Sequence, residues 1–149
     1  MLANLRADLH QAADPEKKKI LQSFFKTGPG QYGEGDVFLG VVVPDSRKVA
    51  HKYKDLPFKK LKELLHSRIH EERLVALLIL VHEYEFTKEK KYIDFYLENS
   101  SRVNNWDLVD LSAPKILGHY LLDKPRKLLY QFAKSRDLWE RRIAIVATY

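Results

Sequence analysis

The sequence predicts an all-α fold of antiparallel helical pairs, and three features of the chain lead to it. The dipeptide Ser-Arg recurs at Ser67-Arg68, Ser101-Arg102 and Ser135-Arg136, 34 residues apart each time (67 to 101, 101 to 135). A fixed period of that size marks stacked helix–turn–helix units. Leu74, Leu77, Leu78 and Val81 follow the i, i+3, i+4, i+7 spacing of one buried helix face. Glycine, the residue least suited to a helix interior, is concentrated at Gly28-Pro29-Gly30-Gln31-Tyr32-Gly33-Glu34-Gly35. Helical pairs stacked in this way form an α-solenoid with a concave surface; a plain helical bundle is the other arrangement that periodicity allows.

The elements follow in order. Residues 2–12 and 15–26 read as helices, the second started by Asp14-Pro15, a cap followed by a first-turn proline. The glycine stretch is a long loop. It is not a nucleotide phosphate loop, because it lacks G-x-x-x-x-G-K-[ST] and no strand precedes it. Val37 to Val43 is the one strand-like apolar run, with Asp36 capping a short helical turn as the alternative. Pro44-Asp45-Ser46 opens a helix over about 46–54. From Pro57 onward the first helices of the pairs cover about 57–66, 89–99 and 125–134, and the second about 70–84, 104–121 and 138–148. Pro57 and Pro125 fall where a proline is tolerated at a helix start. Pro114 kinks or restarts the middle helix.

Composition bounds the function. The chain has 149 residues, 45% of them apolar, enough for one domain over 1–149 with a core. No apolar run reaches the length needed to span a bilayer, and Met1 to Asp8 lacks the apolar segment of a secretory signal. Cysteine is absent, which removes disulfides and Cys-based metal sites or nucleophiles and fits a reducing, cytoplasmic setting. The six histidines show no H-E-x-x-H or other ligand pattern, so neither a metal nor a cofactor is expected. Net charge is +6 and the pI about 9.4. The basic residues cluster at Lys17-Lys18-Lys19, Lys59-Lys60-Lys62, Lys88-Lys90-Lys91, Lys124-Arg126-Lys127 and Arg141-Arg142. Clusters recurring near helix ends suit a phosphate backbone.

The middle repeat is the unusual one. The outer copies continue from Ser-Arg to Glu72-Arg73 and Ala76, and to Glu140-Arg141 and Ala144. In the middle copy Trp106 replaces the Glu, Asp107 the Arg and Asp110 the Ala. Asn104-Asn105 precede the helix as an N-cap requires. Trp106 and Asp110 are i and i+4 and share a face. A carboxylate in place of a small packing residue must find a partner or line a cavity. One account is structural: Asp107 stabilises the helix start, Trp106 fills core and Asp110 pairs with an arginine. The other is a site built on Trp106 and Asp110.

This stretch resembles the DNA alkylation repair (AlkD-like) family of DNA glycosylases. The similarity rests on Trp106-Asp107-x-x-Asp110 followed by Gly118, with Trp139-Glu140-Arg141-Arg142 downstream and Phe38-Leu39-Gly40, Pro44 and Arg47 upstream, and it covers nearly the whole chain. The resemblance implies a right-handed all-α solenoid of HEAT-like antiparallel repeats. It also implies excision of cationic alkylated purines, such as methylated adenine or guanine, from double-stranded DNA by hydrolysis of the N-glycosidic bond. Trp106 and Asp110 would then face the deoxyribose of the lesion. By the family's W-x-x-R spacing, Arg142 would contact phosphate. A strict 34-residue frame instead aligns Arg141 with Asp107 and turns Arg142 toward the packed side, so Arg141 stays a second candidate. A non-catalytic nucleic-acid-binding module and a protein-binding HEAT-like module are the alternatives.

Family members usually extend further than Tyr149. We therefore expect this chain to be the N-terminal part of a longer solenoid, truncated within a helical pair. The exposed apolar face of the last helix, Arg142 to Tyr149, is then expected to self-associate, since solenoids need end repeats with a polar outer face.

Overall fold

The computed structural model, which describes all 149 residues, is all-helical. Nine α-helices follow one another: α1 (Leu2–Ala12), α2 (Pro15–Phe24), α3 (Val43–Lys52), α4 (Phe58–Leu65), α5 (His70–Thr87), α6 (Lys90–Glu98), α7 (Trp106–Asp110), α8 (Lys127–Ala133) and α9 (Leu138–Val146). A 3-10 turn, Ser100–Arg102, precedes α7, and a π-helical turn, Pro114–Gly118, follows it. No helix is long and apolar enough to cross a membrane.

Short-range chemistry sets the helix starts. Asp14 caps α2 by accepting from the Glu16 amide at 2.9 Å, with Pro15 in the first turn. Pro44 occupies the first turn of α3, so that helix opens at Val43, earlier than the expected 46. Pro57 stands at the N-cap of α4. Asp137 caps α9 by accepting from the Trp139 amide at 2.8 Å. The helix expected over 104–121 is broken. Pro114 has no N–H, so the carbonyl of Asp110 lacks its i+4 donor, and the chain resumes as a π-helical turn, an irregularity proline commonly causes.

The helices pack as two compact units, residues 1–79 and 80–149, with the division inside α5. In the first unit Leu5 and Leu9 of α1, Leu61, Leu64 and Leu65 of α4, and Leu74, Val75 and Leu77 of α5 are fully buried. In the second unit the core includes Ile93 and Tyr96 of α6, Leu108 and Val109 of α7, Ile116 and Leu117 of the π turn, and Ile143 of α9.

Val37 to Val43 does not form a strand. It makes a single parallel bridge, Val37 to Ile69, and its last residue opens α3. The reason is where its amides go. The carboxylate of Glu71, itself buried, accepts from the amides of Leu39 (3.0 Å), Gly40 (2.8 Å) and Val41 (3.0 Å). A side chain thus takes the donors that a neighbouring strand would have taken. Gly40 permits this path. Its φ is +91°, and a Cβ there would lie 2.2 Å from the carbonyl oxygen of Asp14, so both the backbone angle and the space exclude a side chain. Asp36 caps no helical turn. It pairs with His70 (3.0 Å) and with Arg73. Burial opposes its charge, yet the hydrogen bond from His70 and the charges of Arg73 and His70 hold its carboxyl below the usual value. A depressed carboxyl adds stability that is present above the ordinary carboxylate range and is lost as acidification passes through the lowered value.

Glu71→Gln tests the central role of this carboxylate. The amide offers one acceptor oxygen and turns an NH2 group toward backbone donors. The expected loss of stability is about 2–3 kcal/mol, the scale of buried hydrogen bonds to a charged group, read from denaturant midpoints. A change of under about 0.5 kcal/mol would show that water or other groups satisfy these amides equally well.

Candidate functional site

The Ser-Arg period has a physical meaning in the turns. Ser67 Oγ accepts from the Ile69 amide at 3.0 Å, and the Ser67 carbonyl accepts from Arg73 Nη1 at 2.9 Å. Two periods downstream the same pair of bonds recurs: Ser135 Oγ accepts from the Asp137 amide at 3.0 Å, and the Ser135 carbonyl from Arg141 Nη1 at 2.8 Å. A serine and an arginine clasp the turn that leads into the second helix of each outer pair. The middle copy cannot form this clasp. Asp107 stands at the arginine position, and Ser101 lies within the 3-10 turn.

The start of α7 is therefore built differently. Asn105 caps it by accepting from the Trp106 amide at 2.8 Å. Asp107 is buried and its Oδ1 accepts from the Leu108 amide at 2.8 Å, so Asp107 belongs to the helix start. Leu108 and Val109 point into the core. Only Trp106 and Asp110 of the five residues of α7 are partly exposed, and they share the outward face. The helix is fixed from beneath: Tyr96 and Ser112, both fully buried, are hydrogen-bonded at 2.9 Å. Burial pushes the Tyr96 hydroxyl well above its usual value, which keeps it a neutral partner.

Asp110 meets Arg142 of α9. Nε donates to Oδ1 at 2.8 Å and Nη2 to Oδ2 at 2.7 Å, a bidentate fork. Neither side chain is buried: the relative exposures are 39% for Arg142 and 33% for Asp110. The strict 34-residue frame, which turned Arg142 toward the packed side, therefore does not describe Arg142. The structure brings Asp110 and Arg142 together and directs Arg141 to the Ser135 carbonyl instead. Gly118, the last residue of the motif, explains how α9 reaches this position. A Cβ on Gly118 would lie 2.5 Å from the Ala147 carbonyl oxygen, so the C-terminal end of α9 sits against the glycine backbone.

Two hollows of about 370 and 270 Å³ lie beside α8 and α9; Gly118, His119 and Arg126 help line the first, and Arg126, Tyr130 and Arg141 the second. Neither is lined by Trp106 or Asp110. Cationic groups are also present on this unit. Lys88, Arg126, Lys127 and Arg141 are exposed, as are Lys90, Lys91 and Lys124, which pair with Asp94, Glu89 and Asp123.

The second unit thus brings an indole, a carboxylate and an arginine together at α7 and α9. The chain belongs to the DNA alkylation repair enzyme family, whose model matches residues 5–149. No curated protein matches it. Membership makes repair enzymology its class and DNA its partner.

The two arginines separate by experiment. Arg142→Ala is expected to weaken binding to alkylated and unmodified duplexes alike, and to lower the slope of log K against log salt by about 1. Arg141→Ala is expected to lower the melting temperature and leave the slope unchanged, since its guanidinium holds the Ser135 turn. The reverse pattern would exchange their roles.

Proposed function

We propose that this chain is a DNA N-glycosylase that excises cationic alkylated purines, such as methylated adenine or guanine, from duplex DNA by hydrolysing the N-glycosidic bond. The observation that supports it most is the shared outward face of α7, where Trp106 and Asp110 stand together and Arg142 is forked to the carboxylate. That arrangement sits within the family match.

The chemistry requires little more. An alkylated purine carries a positive charge and leaves without being protonated, so no general acid is required. As the bond lengthens, positive charge develops on the sugar, as in glycoside hydrolysis. A carboxylate next to that sugar stabilises the oxocarbenium-like transition state and orients the attacking water. Asp110 has this role. Trp106 offers an indole face to the cationic nucleotide. Arg142 serves the flanking phosphate, and its planar fork fits phosphate oxygens as it fits carboxylate. The fork to Arg142 also fits a structural ion pair, so what favours the enzyme is Asp110 sharing a face with Trp106 within the family match.

The decisive assay is release of free alkylated base from methylated duplex, followed by chromatography under single-turnover conditions. Asp110→Asn should slow release by roughly 100- to 1,000-fold, the usual cost of one preorganised electrostatic group. The variant should remain folded, because a half-exposed ion pair contributes at most about 1 kcal/mol. Excision by Asp110→Asn at a near-normal rate would remove Asp110 from the reaction. Absence of release by the unsubstituted chain would leave a binding role.

A further inference from the structure

The fork between Arg142 and Asp110 raises a problem for any reaction at this face. With Nε and Nη2 at 2.8 and 2.7 Å from the two carboxylate oxygens, the pair is close to neutral as seen from outside. A neutral pair exerts a weak field on a cation forming nearby. A carboxylate meant to stabilise positive charge works best with that guanidinium elsewhere.

We propose that the Asp110–Arg142 pair is a latch, opened by exchange of the arginine from the carboxylate to a phosphate of the bound duplex. This rests on the glycosylase reading above and adds to it a step that couples backbone binding to exposure of the carboxylate.

Three features of the structure support the exchange. The pair is accessible, with each side chain more than 30% exposed, so a phosphate can reach it without unfolding. The same donors, Nε and Nη2, match two oxygens of a phosphodiester as well as two of a carboxylate. The pair is also half-exposed, so parting it leaves both charges in reach of solvent and strands no buried charge. A second arginine–aspartate contact, between Asp36 and Arg73, is unlike it. Asp36 and Arg73 are 10% and 1% exposed, with His70 also on the carboxylate. That network has no route to a ligand.

The latch makes the substrate's own backbone the activator. Asp110 is covered in the free protein and uncovered where a phosphate sits beside the lesion. A free alkylated nucleoside has the cationic base but no flanking phosphate. It leaves the latch closed, so the site discriminates for polymer over nucleoside.

A double-mutant cycle on duplex affinity tests the exchange independently of catalysis. The probe is an unmodified oligonucleotide duplex at low salt, titrated against the unsubstituted chain, Asp110→Asn, Arg142→Gln and the double variant, each checked for folding by its melting temperature. In the latch, Asp110 competes with phosphate for Arg142. Asp110→Asn therefore binds duplex more tightly, by about two- to fivefold, the equilibrium equivalent of an exposed ion pair. The gain disappears in the Arg142→Gln background. Two results overturn the proposal. If Asp110 instead holds Arg142 in place while phosphate binds the other edge of the guanidinium, Asp110→Asn binds equally or more weakly. If the gain persists in the Arg142→Gln background, it reflects simple removal of negative charge. In both cases duplex binding by the unsubstituted chain leaves the glycosylase reading standing. Failure of the unsubstituted chain to bind duplex removes that reading and the latch with it.

Discussion

Every turn that joins two antiparallel helices must satisfy the carbonyls and amides it exposes. In the outer repeats a serine and an arginine do this, through Ser67 with Arg73 and Ser135 with Arg141. The clasp ties the arginine to the backbone and leaves a small residue, Ala76 or Ala144, buried one turn later. The middle repeat has no arginine at that position. Its turn is closed by a 3-10 segment, the Asn105 cap and the buried Asp107. With the turn satisfied by side chains of its own, the position one turn later carries a carboxylate, Asp110, instead of an alanine. The change of turn chemistry and the appearance of Asp110 are two aspects of one departure from the repeat.

Proline completes that departure. Pro114 stands four residues after Asp110 and cannot donate to its carbonyl, so α7 is only five residues long and gives way to the π-helical turn. A longer regular helix would carry its outward stripe on past Asp110. Here α7 itself ends at Asp110, so Trp106 and Asp110 are its two partly exposed residues, and Ser112 is held by the buried Tyr96 hydroxyl. A short helix is marginal alone. This one is held by the Asn105 cap, by the Tyr96–Ser112 bond and by the fork to Arg142.

Much of this was legible in the sequence, and what was not has a physical cause. Helix order and approximate limits follow from periodicity and from Pro15, Pro57 and Pro125. The shared face of Trp106 and Asp110 follows from i, i+4 spacing. The partner of Asp110 did not follow from the frame. A fixed period assumes equal turns, and the 3-10 turn at Ser100–Arg102 makes the middle turn unlike its neighbours: α7 starts at Trp106, two residues later than the frame set by His70 and Leu138 of the outer copies. The W-x-x-R spacing from Trp139 to Arg142 was the signal that compensated. Glu71 was missed outright. It lies in the first turn of α5, where a glutamate is ordinary, and nothing local shows that Leu39, Gly40 and Val41, about 30 residues earlier, direct three amides at it. The apolar run Val37 to Val43 looked like a strand because composition reports burial and extension but not the identity of the acceptor.

Two aspartate–arginine contacts in one chain show how environment separates structure from candidate chemistry. Around Asp36 the charges of Arg73 and His70 overcome desolvation and hold the carboxyl ionised inside the first unit. Such a group is costly to disturb, because removing one partner leaves a buried charge. Around Asp110 the geometry is as good, with two bonds under 3 Å, but both partners are half-exposed. Little energy is committed there, and little is needed to rearrange it. In the proposed reaction this difference is the useful property. The transition state needs a negative charge that is uncompensated at the moment positive charge appears on the sugar. A deeply buried pair could not be opened by a phosphate, and an unpaired carboxylate on a face meant for DNA would repel the backbone. A half-exposed pair meets both conditions: it presents little net charge as the duplex approaches, and it supplies the carboxylate once a phosphate has taken the arginine.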